Sequence, residues 1–594
     1  MRLMFFSPFS GIWEFATLEG RIAAALTAEG HDIVFVTCGG LFHRHCLVMA
    51  AQGLPADATR ERRELVCADC RLHAAALREQ SGLQGEELIA TLGAEMRAEV
   101  EQLISGLNAQ SALALEIDGI PVGRRALYPF LALKKKDQLV LSESEWSEYR
   151  DQLCNTILAV RAAQKLIDRY QPDAVVSYSS TYSIVAACLE VARRRGVKDY
   201  FIEASGGLGS RQYRAILARG SIVAWYFALR ELWPQVQEEP ARPEHMHLVT
   251  EHMLHLFGAR SVFVYSASAG SGSFDARAAL GARAGQKVLL ATMSSYDEWF
   301  AAEEAGLMPA HESAFTSQIE WVGSLFEMLR RRPDLFLVLR VHPREFPNRR
   351  DASYSAHSRR LLDVLHTIPD NCHVNWPDQK LSLYDLAKDV DVILNAWSSA
   401  GKELTLLGLP VVEWAPDVLL YPPDPRYVAR RATEYEACID RALADGWSAE
   451  RVRRMYRWCA LEYGAATFQT AAPPEAELRA ARFGRRVVRA LHRRLSPIGA
   501  DRAMLRQELP RGSGARLAQA IAAGLSTLAH HRAGIAATTE VESSVLAHEV
   551  GRLVVGLFGA LDGPGGALKQ ALVELSRSGV RTSPSASPEI RRVA

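Results

Sequence analysis

Two adjacent hydroxyl side chains, Ser398 and Ser399, follow an apolar run in DVILNAWSSAGKELTLLGLPVVEW, residues 391–414. The run is typical of a buried strand, and the residues after the serines are typical of a helix. The first amides of a helix are unpaired and carry partial positive charge, so a hydroxyl beside them can help to hold a phosphate. Serine is also a favoured helix cap, which is the alternative interpretation of this turn. Lys402, in the first helical turn, would add a charge to a phosphate or be solvated.

A second apolar strand ends in cationic side chains, in VLRVHPREF. Arg340, His342 and Arg344 alternate along this end, and the period of two of a strand would project all three to one side. Pro343 stops the strand and fixes the direction of the loop. Two arginines and a histidine at a strand end favour an anion site.

A third strand, in QKVLLATMSSYDEWF, ends at Ser294 and Ser295. Ligands of open α/β sheets bind at the carboxyl ends of the strands. Three polar strand ends in one sheet therefore predict a pocket for a nucleoside monophosphate or diphosphate.

These strand ends must be positioned by a sheet, and strands and helices alternate along most of the chain. The alternation predicts an α/β protein with two Rossmann-like, doubly wound domains that face a cleft. The N-terminal domain is predicted over 1–260 and the C-terminal domain over 261–470. Residues 471–594 form an extension with predicted helices at 515–530 and 543–560 and an end whose composition indicates disorder.

The segment RVHPRE, followed about 50 residues later by DVILNAWSSAGKELTLLGLPVV, resembles bacterial glycosyltransferases of capsule and surface polysaccharides. Kdo transferases, sialyltransferases and teichoic-acid glycerophosphotransferases are the types it is similar to. The resemblance implies a GT-B fold in which His-Pro and Ser-Ser motifs bind the phosphate of a cytidine nucleotide. His342 with Pro343 would be the first motif, and Ser398 with Ser399 the second. It is specific over about 285–415, architectural over 1–260, and absent from the extension.

The activity that this resemblance implies is transfer of a sugar from a CMP-, CDP- or UDP-linked donor. The acceptor would be a growing capsular polysaccharide or its lipid-linked glycan, and no cofactor would take part in catalysis. Arg340, His342 and the serine turn would stabilise the departing phosphate, in place of the divalent metal of other glycosyltransferases. Two alternatives are a nucleotide-sugar epimerase of the same fold and a non-catalytic polysaccharide-binding or assembly protein.

A base is also needed, because the acceptor hydroxyl must lose its proton. The related enzymes carry an acidic motif in the N-terminal domain, and this sequence has no clear match to it. Glu14, after the first strand, and Glu203, in YFIEASGG at another strand end, are the candidates, with His311 as a third. Each glutamate has an alternative interpretation as a structural loop carboxylate.

Four of the nine cysteines fall within 33 residues: Cys38, Cys46, Cys67 and Cys70. The spacing of CADC is that of a zinc knuckle, whereas the spacing of CGGLFHRHC is looser, and His43 or His45 could replace a thiolate. The cluster predicts a structural zinc site that holds an inserted loop over 38–70. An iron–sulfur cluster and unligated thiols are the alternatives.

The extension contains a basic helical pattern at 482–495, with an apolar face of four residues and six arginines around it. Such a helix can lie on an anionic membrane surface, where enzymes that build lipid-linked glycans work. The alternative is that its apolar face packs on the N-terminal domain.

Charge and cysteine content limit the class of protein. The 594 residues include 69 Lys plus Arg and 68 Asp plus Glu, so no global field favours nucleic acid as a partner. The N-terminal MRLMFFSPFSGIWEF has too short an apolar run for a signal peptide, and no run of about 18 apolar residues predicts a membrane span. We therefore expect a reducing cytoplasm without a disulfide framework, with the inner face of the cytoplasmic membrane as a second location.

Overall fold

The chain folds into two α/β domains, each built on one open sheet. The structure is a computed structural model that describes residues 1–270, 276–308, 311–347, 353–473, 508–530 and 537–578. Numbered along the chain, the strands are β1 (Arg2–Ser7), β2 (Asp32–Thr37), β3 (Ala174–Tyr178), β4 (Lys198–Ala204), β5 (Arg214–Arg219), β6 (Lys287–Thr292), β7 (Leu335–Arg340), β8 (Cys372–Asn375), β9 (Val392–Asn395), β10 (Val411–Glu413) and β11 (Phe468–Gln469).

Helices connect the strands and cover the sheets. In the first domain and the linker after it they are α1 (Trp13–Ala28), α2 (Leu47–Ala51), α3 (Arg60–Ser81), α4 (Leu88–Thr91), α5 (Ala94–Ser105), α6 (Ala109–Leu113), α7 (Val122–Arg125), α8 (Leu127–Lys134), α9 (Glu143–Tyr170), α10 (Ser183–Arg194), α11 (Ile222–Val236) and α12 (Pro243–Phe257). The later helices are α13 (Ala276–Leu280), α14 (Tyr296–Glu304), α15 (Gln318–Arg331), α16 (Ala356–Leu365), α17 (Leu383–Leu386), α18 (Ser399–Thr405), α19 (Ala432–Asp445), α20 (Ala449–Ala460), α21 (Ser513–Ala523), α22 (Thr539–Phe558) and α23 (Ala567–Ser578).

The first sheet has the order β2-β1-β3-β4-β5-β11. Its first four strands are parallel, β5 runs antiparallel to β4, and β11 runs antiparallel to β5. Successive residues of β1 point to opposite faces, so Leu3 and Phe5 join one buried cluster while Met4 and Phe6 join another. Both faces are therefore covered, as the continuous apolar strands of the sequence predict.

The second sheet is parallel throughout, with the order β10-β9-β6-β7-β8. The chain moves from β6 to β7 and β8 on one side and then returns to place β9 on the other side of β6. Thr292 of β6 is in register with both Arg340 of β7 and Asn395 of β9. The ends of these three strands thus lie level with one another at the switch point, where open α/β sheets bind ligands.

The carboxyl edges of the two sheets face each other. Beyond β4, the guanidinium of Arg211 lies 4.4 Å from the ring centroid of Phe263, in the linker to the second domain. Beyond β7, Arg344 donates to the carbonyl of Ala132 in α8, at 2.7 Å. The predicted fold class, two Rossmann-like domains facing a cleft in the GT-B architecture, is confirmed.

The chain crosses back to the first domain earlier than the predicted boundary at residue 470, and this boundary is corrected. After α20, a π-helical turn (Leu461–Ala465) leads to β11, where Phe468 pairs with Ala215 of β5. Strand pairing over a large sequence separation leaves no local signal, which is why the sequence did not indicate it.

Two helices predicted in the extension are present, and the first is shorter than predicted. Helix α21 ends at Ala523 because Gly524 takes a left-handed conformation with φ of +68°. Tyr200 donates to the carbonyl of Ala520 in α21, at 3.2 Å, so this helix belongs to the first domain. The predicted disordered end is 577–594, but its first two residues, Arg577 and Ser578, end α23. The rest of that end and the basic segment 482–495 lie outside the described residues. Within the described ranges, no helix is both long and apolar enough to cross a membrane.

Candidate functional site

A cavity of about 130 Å³ lies at the carboxyl edge of the second sheet, at the switch point between β6 and β9. Four of the predicted phosphate-binding residues line it: Arg340, His342, Ser398 and Ser399. The ring of Tyr265, from the linker, forms part of its wall and meets the His342 ring edge-on at 5.7 Å between centroids. The structure thus brings together side chains from two strand ends and the linker.

Arg340 is a cation without a carboxylate partner among the described residues. Its Nη1 donates to Asn375 Oδ1 at 2.6 Å and to the carbonyl of Leu381 at 3.1 Å. Burial lowers the pKa of Arg340 to about 10, because no nearby carboxylate offsets the loss of hydration. An anion in the cavity would restore that balance.

The serine turn is a helix cap whose hydroxyls also line the cavity. Ser398 Oγ accepts from the amide of Ala400 at 3.3 Å, and Ser399 Oγ donates to Glu403 Oε1 at 2.9 Å. Glu403 lines the cavity as well and accepts a hydrogen bond from Tyr384 Oη at 2.7 Å. Both interpretations of the turn are therefore compatible with its geometry.

A buried hydrogen-bond network of Asn395, Tyr421 and Glu413 supports the backbone of the serine turn. The sequence did not predict this network. Asn395 Nδ2 donates to the carbonyl of Ser398 at 3.1 Å and lies 2.9 Å from Tyr421 Oη. Tyr421 donates in turn to Glu413 Oε1 at 2.5 Å, and burial raises the pKa of Glu413 to about 8. Asn395 and Glu413 both end otherwise apolar strands, which is the signal in the sequence that could have revealed them.

Gly401 fits against this network because it has no side chain. A Cβ there would lie 2.0 Å from Tyr421 Oη, 2.6 Å from Asn395 Nδ2 and 2.9 Å from Glu413 Oε1. We expect Gly401→Ala to lower the free energy of unfolding by about 1–3 kcal/mol, the usual cost of overpacking a core. The midpoint of urea unfolding measures this change.

Gly323→Ala is the matched control, because nothing lies within 4 Å of a Cβ at Gly323 in α15. A glycine-to-alanine change inside a helix stabilises by about 0.5–1 kcal/mol. Equal unfolding midpoints for the two alanine variants would contradict the packing role of Gly401.

Lys402 is a correction to the predicted phosphate site. Its Nζ lies 2.7 Å and 2.9 Å from the carboxylate oxygens of Glu462 in the π-helical turn, and both side chains are buried. It is not among the residues that line the cavity. Its charge is satisfied by this distant carboxylate, which the local sequence could not indicate.

Arg344 is a second correction. The strand alternation stops at Arg340, and Pro343–Glu345 forms a short 3₁₀ turn, so Arg344 does not share a side with Arg340. Its Nε donates to Asp297 Oδ2 at 2.7 Å, and it ties the loop to α8 through the carbonyl of Ala132. Arg344 therefore joins the two domains and does not line the cavity.

Ser294 and Ser295 support the site from outside the cavity. Ser294 Oγ accepts from the amide of Trp397 at 3.0 Å, which links the end of β6 to the serine turn. Ser295 Oγ donates to Asp297 Oδ1 at 2.6 Å. Neither lines the cavity, so the geometry gives both a positioning role in place of the predicted ligand contact.

Glu203 is the one predicted base that is half-buried at the carboxyl edge of a sheet. Its Oε1 accepts from Ser179 Oγ at 3.2 Å, and burial raises the pKa of Glu203 to about 7. Ser179 has φ of +71°, a strained conformation of the kind that clusters at functional sites. Arg211, whose charge opposes the rise in the pKa of Glu203, stacks on Phe263, which lines the cavity of the second domain. Glu203 is thus linked to the cavity only through Arg211 and Phe263, and it belongs to β4 of the first domain.

The other two predicted bases are placed differently. Glu14 is exposed in the first turn of α1, where a negative charge stabilises the helix dipole. His311 packs edge-on against Trp299, with 4.8 Å between ring centroids. Neither lines the cavity, so Glu203 is the best placed of the three.

The four clustered cysteines line one small cavity of about 20 Å³ under α3: Cys38, Cys46, Cys67 and Cys70. Burial raises the pKa of the Cys46 thiol to about 12 and of the Cys67 thiol to about 11. Over the described ranges, no group of three or more His, Cys, Asp or Glu side chains is placed so that it could hold a metal ion. Structural zinc stays a prediction, which metal analysis of the purified protein would check.

Comparison with protein-family models and with curated proteins found no match. Similar solved structures include a UDP-GlcNAc 2-epimerase from Methanocaldococcus jannaschii, at 11% identity over 77% of this chain and 98% of that chain, with a TM-score of 0.26. They also include the β-Kdo 2,4 transferase KpsC of Thermosulfurimonas dismutans, at 15% identity over 50% and 82% of the two chains, with a TM-score of 0.28. The glycosyltransferase SnogD of Streptomyces nogalater is 13% identical over 78% and 95%, with a TM-score of 0.23. Similarity at such TM-scores carries no argument about function.

Proposed function

We propose that this chain is a GT-B glycosyltransferase that binds the nucleotide of an activated sugar in the cavity of the second domain. The observation that carries the proposal is the cavity itself, where Arg340, which has no carboxylate partner among the described residues, meets His342 and the hydroxyls of Ser398 and Ser399. A phosphate ester of a nucleotide offers the negative charge and the acceptor oxygens that these groups require. A CMP- or CDP-linked sugar is our first choice of donor, and a UDP-linked sugar the second.

In the transfer, the bond between the anomeric carbon and the phosphate oxygen of the donor breaks, and a bond to the acceptor oxygen forms. Negative charge then grows on the leaving phosphate. Arg340 and the hydroxyls of the serine turn stabilise that charge more strongly than the charge of the intact donor, which lowers the barrier. This step uses only groups of the chain and the two substrates.

Glu203 is our candidate for the group that accepts the proton of the acceptor hydroxyl. A general base works best when its pKa is close to the working pH, and burial brings the pKa of Glu203 to about 7. Glu203 lies on the first domain, so in this proposal the acceptor, a growing surface polysaccharide or a lipid-linked glycan, binds on that side of the cleft. Peripheral membrane contact and a cytoplasmic location belong to the same proposal.

Nucleotide binding is tested by thermal unfolding with CMP, CDP, UDP and GDP. We expect CMP or CDP to raise the melting temperature, because a ligand that binds only the folded state stabilises it by mass action. The shift should vanish in His342→Ala and Ser399→Ala, since both residues line the cavity.

Two alanine controls separate binding from stability. Ser317 caps α15 by accepting from the amide of Glu320, away from the cavity, so Ser317→Ala should lose about 0.5–2 kcal/mol of stability but keep the nucleotide shift. His366, exposed at the end of α16, is the control for His342. If no nucleotide shifts the wild type, the turn is only a helix cap and the proposal fails. Release of free nucleotide and a glycosylated product would distinguish transfer from epimerisation.

A further inference from the structure

A second, larger cavity of about 480 Å³ lies where the chain crosses back to the first domain. Helices α11, α12, α20 and α21 and the π-helical turn form its walls. Its volume is in the usual range for a small-molecule site, about 300–1,000 Å³. None of the described residues that line it also lines the nucleotide cavity.

Four arginines line this cavity: Arg214, Arg242, Arg457 and Arg516. The charge of Arg457 is neutralised by Glu542, whose carboxylate oxygens lie 2.8 Å and 2.9 Å from its guanidinium. Arg242 faces Glu244 at 3.7 Å, and the carboxylate of Glu239 also lines the cavity. Arg457 also lies 3.6 Å from the exposed carboxylate of Glu238, so Arg457 and Arg242 both have acidic partners.

Arg214 and Arg516 form no ion pair with any described carboxylate. Among the described residues, Arg214 donates to neutral acceptors alone: Thr467 Oγ1 at 2.8 Å, the carbonyl of Gly464 at 2.9 Å and the carbonyl of Thr467 at 3.2 Å. Arg516 is half-buried on α21, and within the described chain its side chain has neither an ion pair nor a hydrogen bond. Two partly desolvated cations on one cavity wall repel each other unless an anion lies between them.

His245 also lines the cavity, and its protonation is affected by the positive charge of the arginines. Burial, and after it the positive charges of Arg214, Arg242 and Arg516, lower the pKa of His245 to about 3. The imidazole is therefore neutral and adds no charge of its own.

Another part of the cavity wall is apolar. Trp233, Val236, Leu461 and Leu528 line it. The site thus offers cationic groups to one part of a ligand and an apolar surface to another.

We propose that this cavity binds a phosphate-bearing anion with an apolar portion, at a site separate from the nucleotide cavity. Arg214 and Arg516 hold the phosphate, and the apolar wall receives the remainder. The ligand is either a free phosphorylated metabolite or the headgroup of a lipid, and the two share this chemistry. The inference does not depend on the proposed transferase activity, because it concerns other residues.

The test is calorimetric titration of the full chain with diphosphate, with dihexanoyl phosphatidic acid and with dihexanoyl phosphatidylcholine. We expect the first two to bind and the zwitterionic lipid not to bind. Arg516→Gln should weaken binding at least about tenfold, since a hydrogen bond to a charged group contributes on that scale. The control is Arg331→Gln, an exposed arginine of α15.

A second measurement separates a binding role from a structural one. Without any anion, Arg516→Gln should leave the melting temperature unchanged or raise it, because the substitution removes repulsion between two half-buried cations. A lower melting temperature with no anion binding in the wild type would overturn the proposal. Binding that Arg516→Gln leaves intact would also overturn it, since the anion would then lie elsewhere.

Comparison of the affinities for diphosphate and phosphatidic acid also identifies the source of the ligand. Phosphatidic acid that binds at least about tenfold more tightly than diphosphate indicates a lipid, because the apolar wall then contributes. Equal affinities indicate a free phosphorylated metabolite. In either case CMP should bind the Arg516→Gln variant as it binds the wild type, so failure of this site is distinguishable from failure of the nucleotide site.

Discussion

Replacing Glu203 with glutamine is expected to lower the rate of glycosyl transfer about 10²–10⁴-fold, the usual contribution of a general base. Glutamine keeps the size of the side chain and can still pair with Ser179, but it cannot accept a proton. Nucleotide binding should be unchanged, because Glu203 does not line the cavity. The measurement is kcat with saturating donor, alongside the thermal shift with nucleotide.

The dependence on pH gives a second readout of the same residue. Glu203 must be ionised to act as a base, and burial raises its pKa to about 7. Below that value the rate should fall tenfold for each pH unit, and above it the rate should level off. A structural carboxylate would show no such profile in kcat, and Glu203→Gln should abolish it.

Glu14→Gln is the matched control, since Glu14 is exposed in the first turn of α1. Its rate should equal that of the wild type. A Glu203→Gln variant with wild-type kcat would exclude Glu203 as the base, and loss of activity in Glu14→Gln would restore Glu14 as the candidate.

Replacing Lys402 with methionine is expected to lower the free energy of unfolding by about 3–5 kcal/mol, because it leaves a buried carboxylate without its cation. Lys402 and Glu462 are 2.7 Å apart, and their side chains are 9% and 1% exposed. This pair joins α18 of the second domain to the π-helical turn that leads back to the first sheet. The decrease is measured by chemical denaturation, and the two domains should also become less cooperative in unfolding.

The double variant Lys402→Met/Glu462→Leu should recover much of that loss, because an apolar pair of similar volume often replaces a buried ion pair without cost. An exposed pair is the control. Arg331 and Glu436 are 64% and 35% exposed, so Arg331→Met should change stability by at most about 1 kcal/mol. If Lys402→Met and Arg331→Met lowered the free energy of unfolding equally, burial of the Lys402–Glu462 pair would not explain its contribution to stability.

Residues at strand ends were the part of the site that the sequence could locate. Ser398, Ser399, His342 and Arg340 line one cavity because parallel strands bring their carboxyl ends to one edge of a sheet. To predict that these residues meet, one needs to know only where the strands end and that they are parallel. Apolar runs, Pro343 and the glycine breaks indicate this within short stretches of sequence.

The assignment of Lys402 and Arg344 to the phosphate failed for a different reason. Each of them lies at the predicted edge, yet each pairs with a carboxylate that is distant along the chain. Lys402 pairs with Glu462, and Arg344 pairs with Asp297 of α14. A charged side chain that loses its water on folding needs an ion-pair or hydrogen-bond partner. The spacing of residues in the sequence does not show which group that partner will be.

The α/β class, the two Rossmann-like sheets and the polar strand ends follow from the amino-acid sequence, because strand and helix periodicity is a local property of the chain. Which charged side chains lack an ion-pair partner among the described residues depends on the three-dimensional packing. Arg340 donates its hydrogen bonds to neutral acceptors. Arg214 and Arg516 line one cavity, although about 300 residues separate them in the sequence. The carboxylates that could neutralise such groups come from distant segments, and their placement depends on the packing of the whole chain.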